Sequence, residues 1–246
     1  MHSYQTRTIR EIALEAPVTT RVFEQFKIDY CCHGDTPFDE ACVNAGTTPD
    51  VVIEKIENVL SEGRKTGDER FTEMPLRELI THILDTHHVF TRSEMQQLMP
   101  LMAKVARRHG EHYQYLIEME HTFNSLCDEL WPHMEKEEKV LFPYIEDLER
   151  SIEHGRPGIF PPFGTVEHPV RMMMSEHELA GELLAKLREL SEDYTLPEGA
   201  CPSFTALYHR LEAFEKDLHQ HIHLENNLVF PKAAELERRV FATAAV

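Results

Sequence analysis

The chain has 246 residues, 41% of them apolar and 28% charged, with 10 glycines and 14 prolines, a balance that fits a globular protein and excludes fibrous or disordered classes. A net charge of −18, with no basic cluster beyond pairs such as Arg107-Arg108, argues against a nucleic-acid partner. Sixteen histidines point to metal, while five cysteines, odd in number and two of them adjacent, suit a reducing cytoplasm better than a disulfide framework.

The opening M-H-S-Y-Q-T-R-T-I-R-E lacks the apolar core of a secretory signal, and no apolar run approaches the ~18–20 residues that cross a bilayer. A cytoplasmic protein without membrane contact is therefore expected. Short helices are predicted at 8–15 and 18–26, then at 37–44 after the Gly/Pro-punctuated turn D-Y-C-C-H-G-D-T-P, and at 50–61. The polar run S-E-G-R-K-T-G-D-E-R, 61–70, reads as a linker. This divides the chain into a small helical domain over 1–62, a linker over 63–73 and a larger domain over 74–240.

The larger domain reads as long amphipathic helices. The first opens on the stripe Leu76, Leu79, Ile80, Ile83, Leu84 and is expected to end near Met99, before Pro100. A second starts at about Leu101, or after Gly110, and runs to Tyr144. A third covers 169–190 and a fourth 202–239. The Gly/Pro-rich H-G-R-P-G-I-F-P-P-F-G, 154–164, is a crossing loop. Four helices with one long connection make an all-α bundle the natural architecture.

Within that bundle a motif is written twice: H-M-E-K-E-E-K-V-L-F-P at 133–143 and H-I-H-L-E-N-N-L-V-F-P at 221–231. Each copy has a histidine, a glutamate four positions on, and Phe-Pro five positions after that. Residues i and i+4 share a helix face, with Cβ atoms about 5–6 Å apart. His133 with Glu137, and His221 with Glu225, can thus each present an imidazole and a carboxylate to one point. A single H-x-x-x-E is ordinarily a solvated pair, but only these two histidines of sixteen have Glu at +4, and both carry the same tail. The Phe is read as an apolar plug and the Pro as a helix breaker.

The other two helices should each add an inward residue. His88 and His177 are 89 positions apart, close to the 88 that separate the two copies. The candidate set is His88, His133, Glu137, His177, His221 and Glu225, with both glutamates bridging two metals and an oxo or hydroxo group between them. This chemistry suits iron, manganese or zinc. His87 is the alternative to His88. His82 and His219 are placed on neighbouring or exposed faces, and His223 faces away. Glu176 and Glu129 are weighed as carboxylates near the metals against plain surface residues. A ferritin-type pair of E-x-x-H helices, an H-E-x-x-H protease motif and a C-x-x-C site are all lacking.

At these motifs, together with S-E-H-E-L-A-G-E-L-L and D-Y-C-C-H-G-D, the sequence resembles the hemerythrin-like metal-binding family, and more narrowly the repair-of-iron-centres proteins, over about residues 7–235. The resemblance implies a hemerythrin-like four-helix bundle, preceded by a small helical Cys-Cys domain, with a non-haem di-iron centre held by the six residues above. It also implies a cytoplasmic stress-response role in restoring damaged or apo iron–sulfur proteins. Because His/carboxylate ligation with open positions binds iron without cysteine's grip, donation of iron from the labile centre is the favoured route. Four histidines, rather than the five of oxygen-carrying hemerythrins, argue against oxygen carriage.

Reduction of nitric oxide at the same irons, and sensing of dioxygen or nitric oxide, are the alternatives, so whether the protein is an enzyme stays open, as does a homodimer. Cys31 and Cys32 are candidate thiol or iron-transfer residues, expected to gain acidity near a helix start. Cys42, Cys127 and Cys201 read as packing residues. Pro132, just before His133, is expected to bend its helix.

Overall fold

The computed structural model describes residues 4–63, 71–156, 158 and 160–243. Among them are eight α-helices and no strand, the only β contact being an isolated bridge between Thr8 and Pro37. Helix α1 (Ile9–Glu15) begins in a capping box. The Thr8 hydroxyl accepts from Glu11 N at 3.2 Å, and Thr8 N donates to the Glu11 carboxylate at 2.9 Å. Helix α2 (Thr20–Phe26) stops at Lys27, whose φ of 58° takes the chain out of the helix. Helices α3 (Phe38–Asn44) and α4 (Pro49–Gly63) follow. Ile9, Phe23, Phe38, Val52 and Ile56 are fully buried together in this N-terminal unit. Burial of each such side chain contributes about 1.5–3 kcal/mol. The linker expected at 63–73 lies, for most of its length, outside the described residues.

The bundle consists of α5 (76–109), α6 (115–154), α7 (Glu167–Leu190) and α8 (202–243). The expected stop before Pro100 does not occur: α5 runs on to His109 with Pro100 inside it. Pro100 is exposed, so the hydrogen bond it cannot make is lost on the solvent side of the helix and leaves no buried group unsatisfied. Pro132 is likewise exposed within an unbroken helix, Tyr115–Lys136.

Nor does Phe-Pro end α6 at Tyr144. Three of the four rods widen into a π turn, at Ile83–His88, Glu137–Leu141 and Glu225–Val229. Phe142 N donates to the Glu137 carbonyl and Phe230 N to the Glu225 carbonyl, five residues back instead of four. The extra residue in the turn relieves the clash that Pro143 and Pro231 would otherwise make one turn back, and the helices continue. The π turns coincide with the repeat's glutamates and with His87-His88.

Two carboxylates from distant helices close the bundle's lower end. Glu149 accepts from Leu76 N at 2.9 Å and Arg77 N at 3.1 Å, capping α5. Buried Glu237 accepts from Val166 N at 2.9 Å, Thr165 Oγ1 at 2.5 Å and Tyr144 Oη at 2.6 Å, pinning the crossing loop at the start of α7. The bundle core is split into two apolar clusters. One gathers residues such as Met95, Phe123, Leu184 and Phe214, and the other Ile80, Phe142, Met173 and Phe230. The candidate ligands lie between them.

Candidate metal centre

His88 (α5), His133 and Glu137 (α6), His177 (α7), His221 and Glu225 (α8) meet in the bundle interior, each 2% exposed or less. Their donor atoms form two groups, each within 4.8 Å: His88, His221, Glu137, Glu225 and His133, His177, Glu137, Glu225. Both glutamates belong to both groups, and each gives one oxygen to each. Glu137 Oε1 lies 3.4 Å from His133 Nε2, and its Oε2 lies 3.4 Å from His88 Nε2. Glu225 Oε1 lies 2.9 Å from His221 Nε2, and its Oε2 lies 3.2 Å from His177 Nε2.

The back of each ring is held differently. His88 Nδ1 sits 2.7 Å from Glu138 Oε1, and Arg92 pairs with the same carboxylate at 2.9 Å. His133 Nδ1 lies 2.8 Å from Glu176 Oε2, with Lys136 on the other oxygen. His177 Nδ1 lies 2.8 Å from Asn226 Oδ1, while His221 Nδ1 is buried without a partner. An acceptor at Nδ1 fixes the tautomer and turns the Nε2 lone pair inward. Phe142 lies 5.9 Å from the His88 ring, and Phe230 stacks on His177 at 5.9 Å. The phenylalanines thus form an apolar floor.

The electrostatics favour cations. Neither oxygen of Glu137, nor Glu225 Oε2, has a hydrogen-bond partner, and an unsatisfied buried polar group costs about 1–3 kcal/mol, more when charged. Burial and Glu225 push the Glu137 carboxyl up, but His133 and His88 outweigh them and hold it at about 2. Burial works against protonation of His88 and His133, yet the paired carboxylates lift both imidazoles to about 10. For His221 burial prevails and its pKa falls. Two buried carboxylates facing four imidazoles are thus a donor set in which cations would replace protons. Those residues fit metal binding through nitrogen and oxygen donors.

His87 points elsewhere. Its Nδ1 lies 3.0 Å from Asp217 and its ring stacks on His221 at 5.6 Å, a buried role that its unremarkable setting in the sequence does not suggest. His219, expected on an exposed face, is half-buried and pairs with Glu24 of α2 at 2.7 Å. His223 faces away, against the Tyr30 carbonyl. Glu129 is exposed on the outside of α6. Sequence reasoning missed Glu138 and Asn226, although each directly follows a repeat glutamate.

The vicinal cysteines sit on the flank of this centre. Cys31 is buried and Cys32 half-buried in a turn where no helix begins, since α3 starts only at Phe38. Contrary to expectation, the Cys31 thiol is raised well above its usual pKa. The neighbouring Cys32 thiol, burial and Asp29 all disfavour its thiolate. Asn226 Nδ2 donates to the Cys31 carbonyl at 3.1 Å, so one amide joins this turn to His177. Cys42 and Cys127 are core residues, and Cys201 lies 3.3 Å from His109 Nε2.

A family model described as the hemerythrin HHE cation binding domain matches residues 79–233, and ScdA_N, a domain of unknown function, matches residues 5–60. The chain is 34% identical to the iron-sulfur cluster repair protein YtfE of Edwardsiella ictaluri, over 94% of this chain and 98% of that one. The chain belongs to the ScdA/YtfE family of hemerythrin-domain proteins. Other ScdA/YtfE relatives are the iron-sulfur cluster repair protein YtfE of Yersinia pseudotuberculosis, 32% identical over 94% of this chain and 97% of the relative, and ScdA of Staphylococcus haemolyticus, 28% identical over 91% and 96%. The hemerythrin-domain match and the buried His/Glu groups together fit iron binding. No helix among the described residues is long and apolar enough to cross a membrane.

Proposed function

We propose that His88, His133, His177 and His221 are terminal ligands, and Glu137 and Glu225 bridging ligands, of two irons, and that the protein restores iron–sulfur clusters damaged by nitrosative or oxidative stress by donating iron to their apo-proteins. The observation that carries this reading is that Glu137 and Glu225 each turn one oxygen to each group of imidazoles, with the Glu137 oxygens otherwise unpartnered. Bound there, the irons supply a labile metal pool with exchangeable positions for small ligands.

The protein's own residues set how firmly that pool is held. No cysteine belongs to the six-residue set, so the grip of thiolate on iron is missing. Glu138, Glu176 and Asn226 orient three of the imidazoles, and Phe142 and Phe230 keep water from the lower side. The relatives' printed names supply the repair role, and the damaged or apo iron–sulfur protein follows as the partner.

The test is iron analysis with Mössbauer spectroscopy before and after anaerobic incubation with an apo iron–sulfur enzyme. A donor loses iron in proportion to the clusters formed. Iron retained throughout, with nitric oxide turned over to nitrous oxide, would instead make the protein a reductase.

A further inference from the structure

Outside the bundle interior, one other group of metal-type donors is gathered among the described residues: Asp29, Cys31 and Cys32, whose donor atoms lie within 4.8 Å of one another. The spacing has the dimensions of a coordination sphere. Two metal–sulfur bonds of ~2.3 Å at the tetrahedral angle set their sulfurs about 3.8 Å apart, and an oxygen ligand closes the edge slightly further. Here Cys31 Sγ lies 3.6 Å from Cys32 Sγ and 3.4 Å from Asp29 Oδ1. Asp29 is held in place by its neighbours: Oδ1 accepts from Cys31 N at 3.0 Å and Cys32 N at 2.9 Å, and Oδ2 takes His33 Nδ1 at 2.6 Å. The trio opens on a cleft of ≈370 Å³ whose other wall, on α7, includes Glu178, Gly181 and Glu182. Cys32 Sγ rests 3.6 Å from the His177 carbonyl, and Asn226 joins the Cys31 carbonyl to the His177 ring.

We propose that Asp29, Cys31 and Cys32 form a second cation site, selective for a thiophilic divalent metal, through which iron leaves the bundle for a client thiolate. Three protein ligands leave the fourth tetrahedral position facing the cleft, the opening a transfer site needs and a closed structural site lacks. Entry of a divalent cation displaces the two thiol protons to solvent. The client thiolate then adds at the free position, and the cation passes on as its bonds to the two cysteines break and those sulfurs take protons back. No electron moves. The acidic wall provided by Glu178 and Glu182 raises the local cation concentration at the mouth. The inference rests on the iron-donor reading for its purpose, while the site's existence is independent of it.

The test uses the full chain, with the bundle first loaded anaerobically with ferrous iron, titrated with cobalt(II). The expected result is one further cobalt per chain, with a sulfur-to-cobalt charge-transfer band in the near ultraviolet. The band disappears in C31S/C32S, and affinity falls about tenfold or more in Asp29→Asn, while bundle iron stays constant. Circular dichroism establishes that both variants are folded, and Asp29→Asn leaves both thiols in place if the double variant is not. A missing band, or one that survives in C31S/C32S and so belongs to Cys42, Cys127 or Cys201, overturns the proposal. A cysteine-dependent band in a chain whose bundle takes up no iron supports this site and contradicts the di-iron reading instead.

Discussion

Glu138 and Asn226 stand at the same position of the internal repeat, and each takes the Nδ1 of the lone histidine in its own helix hairpin, His88 at 2.7 Å and His177 at 2.8 Å. The bundle is thus a pseudo-twofold object in which α5–α6 and α7–α8 build equivalent halves of one centre. The equivalence is imperfect in charge. One half supports its lone histidine with a carboxylate, and the other with a neutral amide.

Removing these supports is expected to weaken metal without unfolding the chain. Asn226→Ala and Glu138→Ala should each lower iron affinity by about 10–100-fold, measured by chelator competition, with far-ultraviolet dichroism unchanged. Unaltered affinity in both would show that the imidazoles need no outer support.

In the proposed di-iron centre, a further departure from this symmetry makes the two metal positions inequivalent. Glu176 supports His133, but its counterpart beside His88 is His87, which stacks on His221 and leaves His221 Nδ1 without a partner. Iron held by His88 and His221 should leave first, giving two phases of release to a chelator. His87→Gln, which supplies an acceptor, should slow the fast phase alone. A single phase in the parent chain would contradict this.

Much of the centre was legible in the sequence because helical spacing and an 88-residue repeat are both visible there. All six candidate ligands meet for that reason. The three π turns were not legible: two follow from Phe-Pro, which reads as a stop until the i−5 hydrogen bond is seen, and the turn at Ile83–His88 has no proline signal at all. The bury-and-pair roles of His87 and His219 depend on Asp217 and Glu24, 130 and 195 residues away, and no local pattern carries that information.

Glu237 should matter for stability and not for metal. It satisfies Val166 N, Thr165 and Tyr144 at once, so Glu237→Ala should cost about 1–3 kcal/mol in chemical denaturation and leave iron content as it was. Loss of iron at unchanged stability would reverse the assignment.

Docking of the N-terminal unit on the bundle should depend on pH through Glu24 and His219. Burial lowers the His219 pKa, but Glu24 outweighs it and the net direction is upward from 6.5. Burial raises Glu24, but His219, Tyr30 and Arg188 bring it below 4.5. A raised histidine stabilises fully below its unfolded value and loses the contribution as pH rises through the folded one. A lowered carboxyl stabilises above its unfolded value and loses that as pH falls. Protection of α2 amides from exchange should therefore be greatest between about 4.5 and 6.5 and decline on either side, and Glu24→Gln should flatten the profile.

The most direct test of the centre is iron stoichiometry with Mössbauer spectroscopy on the anaerobically loaded chain, alongside Glu137→Ala. The parent should hold two high-spin irons with nitrogen and oxygen ligands, and the variant should lose occupancy of both, because Glu137 faces both groups. One iron per chain, or a variant that keeps both irons in an unchanged spectrum, would contradict the shared-carboxylate centre.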